Sequence, residues 1–276
     1  MNGFKKRSSQ ITRFLFDPIY RKQTLKKREI KREKKRIAKL PRYVPSETTI
    51  FNKKIRFLDN CFLINYHEIF EDEIYKFHTT DDSPFIIDCG SNVGLSIIYF
   101  KMLYPNSRII GFEADPNIYK VLSENINQFA FPDVVLIPKA VWKEDGEITF
   151  QLEGGNSSRI ITNQEIEKLT IIQTSSLRPY LSEHVNFLKI DIEGAEYEVI
   201  TSCRDLLGSV DHIFIEYHSF NNQKQMLGEL LTILSESGFR YFIKHTGEIS
   251  LYPFTHSYSN NGIDMDLQLN IFAKRF

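Results

Sequence analysis

The sequence predicts an α/β protein, built on a mostly parallel sheet with helices on both faces. Two observations carry this. From Phe85 onward, strand-like apolar runs alternate with helix-like runs, and the connections between them are short. Repeated β-α units of that kind imply a parallel sheet that is covered on both sides. The composition agrees: 42% hydrophobic and 25% charged residues are ordinary for a chain that builds a core.

In chain order, residues 1–40 form a basic extension. "RKQTLKKREIKREKKRIAKL" (21–40) is free of glycine and proline and can be helical, with Ile11, Phe14, Leu15, Phe16, Ile19 and Tyr20 ahead of it. Residues 41–82 read as a small cap. "TTIFNKKIRFL" is expected to form a hairpin around its Asn-Lys-Lys turn. "YHEIFEDEIYKFH" is expected to form a helix with Ile69, Phe70, Ile74 and Phe77 near one face. The remaining residues, 83–276, form the main domain. "FIID" is a strand, and "VGLSIIYFKMLY" is a helix closed by Pro105. "RIIGFEA" is a strand, after which Asp115 caps a helix that has Pro116 in its first turn. "VVLIPKAV" reads as a third strand. "GEITFQL" and "TIIQTSSL" form a β insertion within 143–182. "VNFLKID" and "HIFIEYH" are the fourth and fifth strands, separated by the helix "GAEYEVITSCRDLL". "KQMLGELLTILSESG" is a helix ended by Gly238, and "FRYFIKH" and "LQLNIFAKRF" are the closing strands.

Net charge is zero, but it is unevenly placed. Residues 1–40 hold fifteen Lys or Arg against three acids, a local charge of +12, and the rest of the chain carries −12. Such a tail is either a solvated extension or a contact with an anionic membrane surface or another polyanion, and nucleic acid is a third option. Three scattered cysteines, Cys61, Cys89 and Cys203, show no metal-ligand spacing and suit a reducing compartment. No apolar run is long enough to span a bilayer and no signal peptide is read, so the expected location is cytoplasmic, with peripheral contact at the inner membrane face.

The chemistry concentrates at strand ends. In a parallel sheet, ligands bind at the carboxyl ends of strands, beside the topological switch point. Asp88 ends the first strand of the series. Gly90 and Gly94 then permit a tight turn and a close approach, and the next helix is expected to present free N–H groups to a ligand. The pattern is D-x-G-x-x-x-G rather than the G-x-G-x-x-G of dinucleotide folds. A carboxylate at Asp88 repels a pyrophosphate and attracts a cation. S-adenosylmethionine has an ammonium, a sulfonium and no phosphate. Glu113, nineteen residues after Gly94, ends the second strand where a carboxylate can accept from both ribose hydroxyls. Asp191 follows the fourth strand, amid Lys189, Glu193 and Glu196, and Glu216 and His218 follow the fifth. His218 suits a general base and Asp191 an orienting or base carboxylate. The spacing demands no metal, although Glu216 and Asp191 could hold a divalent cation.

The segments "IIDCGSNVGLS", "GFEADP", "LIPKAV", "LKIDIEGAEYEVI" and "IFIEYH" together resemble the FkbM family of S-adenosylmethionine-dependent methyltransferases over residues 85 to about 245. The resemblance implies the class I methyltransferase (Rossmann-like) fold, a seven-stranded sheet with one antiparallel strand. It also implies O-methylation of a hydroxyl on a sugar or glycan, or on a polyketide or peptide metabolite. By the same resemblance Asp88, Gly90, Ser91, Asn92 and Gly94 hold the methionine part. Glu113, with Ala114 behind it, holds the ribose, and Ala140 lies at the adenine edge. A dehydrogenase is disfavoured by the glycine spacing. A nucleic-acid methyltransferase is disfavoured because Asp191-Ile192-Glu193-Gly194 stands where an Asn/Asp-Pro-Pro-aromatic turn is expected.

Overall fold

The computed structural model describes residues 17–41, 43–59, 61–151, 159–160, 169–221, 223–246, 254 and 265–275. It divides into two compact units, Met1–Ile64 and Asn65–Phe276. In the first unit, helix α1 (Pro18–Ile37) is followed by strands β1 (Ser46–Thr48) and β2 (Ile55–Phe57). These pair antiparallel as the expected hairpin, and Asn52 takes a left-handed φ of 58° in its turn. Arg36 bridges the helix to the hairpin through the Glu47 carbonyl, at 2.5 Å, while holding Glu33.

Helix α2 (Phe62–Tyr66) is followed in the chain by a π-helical turn over His67–Glu71. The helix expected over "YHEIFEDEIYKFH" therefore begins earlier and stops sooner. Glu73 adopts φ 52°, which breaks the helical path. Tyr75 and Phe77 turn inward instead. Tyr75 packs against Phe214 (4.9 Å between ring centroids) and Phe100 (5.8 Å), and Phe77 stacks on Phe187 at 4.9 Å.

The main sheet is made as the alternation predicts. Its strands are β3 (Phe85–Cys89), β4 (Arg108–Phe112), β5 (Val134–Ile137), β10 (Val185–Ile190), β11 (Val210–Phe220), β12 (Arg240–His245) and β13 (Met265–Lys274). Their spatial order is β12-β13-β11-β10-β3-β4-β5. Only β13 runs antiparallel to its neighbours, as the resemblance implies. Every residue of β3 and β10 is buried, the mark of central strands covered on both faces. Helices α3 (Leu95–Leu103) and α4 (Pro116–Asn127) carry the chain from β3 towards β5. Helices α5 (Glu196–Ser202) and α6 (Leu227–Glu236) carry it the other way, from β10 outward. Crossovers between parallel strands are right-handed, so the two pairs lie on opposite faces. The switch point falls between β3 and β10, the two most buried strands.

One strand assignment changes. "VVLIPKAV" is not continuous. Pro138 lacks the N–H a strand interior needs, and β5 ends at Ile137. The chain resumes as β6 (Ala140–Trp142), which joins a second sheet with β7 (Gly146–Gln151), β8 (Arg159–Ile160) and β9 (Leu169–Ser176) in the order β6-β9-β7-β8. The insertion expected over 143–182 thus recruits the end of the third strand. Of residues 252–266, only Phe254, Met265 and Asp266 lie within the described residues.

Asp115 is the N-cap of α4, and its carboxylate accepts from the amides of Asn117 (2.7 Å) and Ile118 (3.3 Å). Asp115→Ala should lower the unfolding free energy by about 0.5–2 kcal/mol, as loss of such a cap does. Urea denaturation of the two proteins measures it, and an unchanged midpoint would show that the cap contributes nothing.

Candidate active site

A cavity opens at the switch point, and its wall comes wholly from the larger unit. The loop Gly90–Val93 forms its floor. Gly90 has φ +84°, and a Cβ there would lie 1.9 Å from the Asp191 carbonyl oxygen. Only glycine fits between the ends of β3 and β10. Gly94 has another task. It does not line the cavity, and its absent Cβ makes room for Leu122 and Ile126 of α4.

The loop amides are not free. Gly90 and Ser91 N–H donate to the Phe112 carbonyl (3.0 and 2.8 Å), and Gly94 N–H donates to the Ser91 carbonyl. Asn92 N–H donates to Glu113 Oε2 (2.9 Å), and Val93 N–H to its neighbour Asn92 Oδ1 (2.7 Å). All five loop amides bind within the protein; the helix whose first N–H groups were expected to face a ligand begins after them, at Leu95, and Leu95 and Ser96 line the cavity. Glu113 Oε1 accepts from Asp115 N–H at 2.9 Å, which leaves each carboxylate oxygen one further acceptor position. Burial raises the Glu113 pKa to about 7, and the two backbone N–H bonds oppose that rise. Phe112, Ala114, Ile118, Lys139, Ala140 and Val141 form the wall beside it, an apolar slot with a carboxylate at its mouth.

Lys189 lies beneath the loop with 3% of its side chain exposed. Its ammonium is 3.3 Å from Asp88 Oδ1 and 3.3 Å from Asp191 Oδ2, and it donates to the Gly90 carbonyl at 2.8 Å. Burial disfavours the charged amine, but Asp191 and Asp88 outweigh it and hold the pKa well above its usual value. Asp88 is fully buried. Its other oxygen accepts from the Ser96 hydroxyl, at 2.5 Å, and it does not line the cavity. Asp88, expected to meet a ligand's cation, is instead the counter-ion of Lys189 behind the wall.

The opposite end of the cavity is acidic. Glu68, Asp191, Glu193 and Glu216 line it together with His218, Asn65 and Gln268. Across the whole cavity five carboxylates face two lysines and one histidine, a balance that favours cationic or neutral ligands over anions. Burial first, then neighbouring carboxylates, raise the pKa values of Glu193 and Glu216, the latter to about 7. His218 is buried, with Nδ1 3.0 Å from Glu196 Oε1 and Nε2 3.6 Å from Glu193 Oε2. Burial opposes its charge, but Glu193 and Glu196 override burial and hold its pKa well above the usual imidazole value. Glu196 itself is 1% exposed, and its Oε1 also accepts from the amides of Gly194 (3.0 Å) and Ile192 (3.3 Å). Glu196 thereby fixes both the turn after β10 and the histidine ring.

The structure thus brings Gly90, Ser91, Asn92, Glu113, Ala114, Ala140, Asp191 and His218 to one cavity, and leaves Asp88 and Gly94 outside its lining. Glu68 and Gln268 were not anticipated, since each comes from a segment far from the motifs in sequence. Ligand atoms of Asp191, Glu193 and His218 lie within 4.8 Å of one another, a set that could hold a cation.

Replacing Lys189 with Met should cost about 3–5 kcal/mol, because it strands buried carboxylates. Asp88→Asn in the same protein should recover part of that loss. A double-mutant cycle read by urea unfolding tests the coupling, and simple additivity would mean that the two charges do not depend on each other.

A profile of the Methyltransferase FkbM domain matches residues 88–241. Methyltransferase sdnD of Sordaria araneosa is 30% identical over 178 residues, 49% of this chain and 66% of that protein. Methyltransferase 1 of Beauveria bassiana is 27% identical, over 63% of this chain and 79% of its own length. The hexuronic acid methyltransferase AglP of Haloferax volcanii is 22% identical, over 57% and 64%. The chain spans just under two thirds of the length of sdnD. Among solved structures, the FkbM methyltransferase of Methylobacillus flagellatus KT superposes with a TM-score of 0.46 at 14% identity, over 73% of this chain and 46% of that one. With the domain profile matched over more than half of its length, the chain belongs to the FkbM methyltransferase family.

Proposed function

We propose that the protein is an S-adenosylmethionine-dependent O-methyltransferase whose acceptor is a sugar hydroxyl. The observation that carries this reading is the cavity wall: a carboxylate and an apolar slot at one end, a dense set of carboxylates and amides at the other, and a floor loop with no free amide for a phosphate. When bound, the cofactor supplies an activated methyl group on its sulfonium. Glu113 would accept from the ribose hydroxyls, Ala114, Ile118 and Ala140 would border the adenine, and Asp191 with the Gly90–Asn92 loop would border the methionine part.

The acceptor end offers hydrogen-bond acceptors in Glu68, Glu216 and the side-chain oxygens of Asn65 and Gln268, which suits a polyol. The AglP name speaks for a sugar acceptor in a distant relative. In this chain, however, the carboxylates at that end would repel a uronate, so the proposed acceptor is neutral or amino-bearing. A hydroxyl needs a base as the new bond forms. The sequence alone offered His218 or Asp191 for that role. Against burial, Glu193 and Glu196 raise the His218 pKa above the usual imidazole value, and Glu196 already occupies Nδ1, so the ring is better suited to donate than to take a proton. Glu216 is better placed to take the proton. Its pKa of about 7 matches neutral working conditions, and Gln268 holds one of its oxygens. Asp191, paired with Lys189, orients the acceptor and the cofactor's ammonium.

Two outcomes are expected. Calorimetry should show S-adenosylmethionine binding without NAD binding, weakened by about 1–3 kcal/mol in Glu113→Ala. The ligand prefers ionised Glu113. Wild-type affinity should therefore be full above pH 7 and fall as the pH drops through about 7, while Glu113→Gln flattens that dependence. NAD binding in place of S-adenosylmethionine would overturn the proposal.

The second expectation concerns turnover on methyl glycosides carrying neutral, amino or carboxylate groups. Transfer should favour the first two over the uronate. Glu216→Gln should slow single-turnover transfer by about 10²–10⁴-fold, the usual worth of a general base, with cofactor affinity retained. An unchanged rate in Glu216→Gln would return the role to Asp191 or to positioning alone.

A further inference from the structure

Helix α1 carries a charged face that the proposed chemistry does not use. Lys27, Lys31 and Lys35 stand one turn apart along it, with Arg32 beside them, and all four are exposed. At 1.5 Å per residue the row is about 12 Å long. None of the four meets a carboxylate within 4 Å among the described residues. Arg36 pairs with Glu33 near the anchored end of the helix. That anchorage to the hairpin, through Arg36 and the Glu47 carbonyl, fixes the end of the helix and leaves the row facing solvent. Leu25, 50% exposed, lies seven residues before Arg32 and borders the same face. Among the described residues no helix is long and apolar enough to cross a membrane.

We propose that the basic face of α1 docks the protein on the surface of an anionic lipid bilayer. A plane of headgroups matches a straight row of ammonium groups, because each side chain can reach it without a groove or a defined register. The exposed leucine at the edge favours lipid over nucleic acid. It can enter the acyl boundary beside the headgroups, whereas reading a duplex calls for hydrogen-bonding side chains aimed at base edges. Zero net charge on the whole chain does not oppose this, since screening limits each charge to its own neighbourhood and the local excess over residues 1–40 is +12.

The test uses the full chain and two vesicle types, phosphatidylcholine alone and phosphatidylcholine with about 30% phosphatidylserine. Sedimentation should show binding to the anionic vesicles only, lost at high salt. The triple variant Lys27→Glu, Lys31→Glu, Lys35→Glu should partition at least about tenfold less, as expected for removal of three surface-bound cations. Its unfolding midpoint, matching the wild type, confirms that the variant is folded. Equal binding to both vesicle types, or equal binding by the variant, overturns the proposal. So does binding to single- or double-stranded nucleic acid that survives salt at which vesicle binding is lost.

Discussion

The buried ammonium of Lys189 is the interaction on which the rest of the site depends. It sits where two neighbouring parallel strands send their connections in opposite directions, the place where an α/β sheet tends to open. From there it reaches Asp88 at the end of β3, Asp191 after β10, and the Gly90 carbonyl in the loop above. Each of those groups would be costly alone in a dry interior. Together they are compensated, and their mutual distances are fixed. An ion pair of this kind adds little net stability over an apolar filling. What it provides is position: the Gly90 backbone is pressed so closely on the Asp191 carbonyl that no side chain fits between them.

A second constraint follows from the same burial. The cavity gathers carboxylates that water solvates poorly, and two of the three basic groups lining it, Lys189 and His218, are already engaged by partners of their own. The response is proton retention. Glu113 and Glu216 are raised towards neutrality, and, against the pull of burial, Glu193 and Glu196 raise the His218 pKa. This divides the roles. A group that already carries its proton can orient or donate, while a carboxylate poised near neutrality can accept. Motif position alone would have assigned those roles the other way, because an isolated histidine titrates near neutrality and an isolated glutamate does not.

Much of this was legible in the sequence, and the exceptions have physical causes. The strand-helix alternation, the Asp115 cap, the two closing strands and the loop from Gly90 to Asn92 are local signals, written in runs of a few residues, whereas the reversed direction of one strand was implied by the family resemblance alone. The break at Pro138 was equally local, since a proline inside a strand pattern argues against a continuous strand. The helix over residues 66–78 failed for a different reason. Its apolar spacing was real, but the path turns at Glu73 so that Tyr75 and Phe77 can fill the aromatic core around Phe187 and Phe214. Glu68 and Gln268 reach the cavity from opposite ends of the unit, and no spacing rule links residues about 200 positions apart. Asp88 and Gly94 belong to the motif, yet their side chain and missing side chain face away from the ligand space. A one-dimensional pattern does not distinguish a residue that touches a ligand from one that holds the residue that does.

That distinction also explains why a buried strand ends on a carboxylate. In a dinucleotide fold, the turn after the first strand keeps its amides open for phosphate, and a nearby negative charge would oppose the ligand. Here the amides of Gly90 to Gly94 are bonded to the Phe112 carbonyl, to Glu113 and to the loop itself. These five donors are committed before any ligand arrives. A fixed ammonium is then needed to neutralise Asp88, and the same ammonium holds Asp191 at the cavity edge. The carboxylate at the strand end is therefore the foundation of the cation-favouring cavity rather than its contact surface. The selectivity lies in how the backbone donors are committed, and the motif glycines allow that commitment to be made at short range.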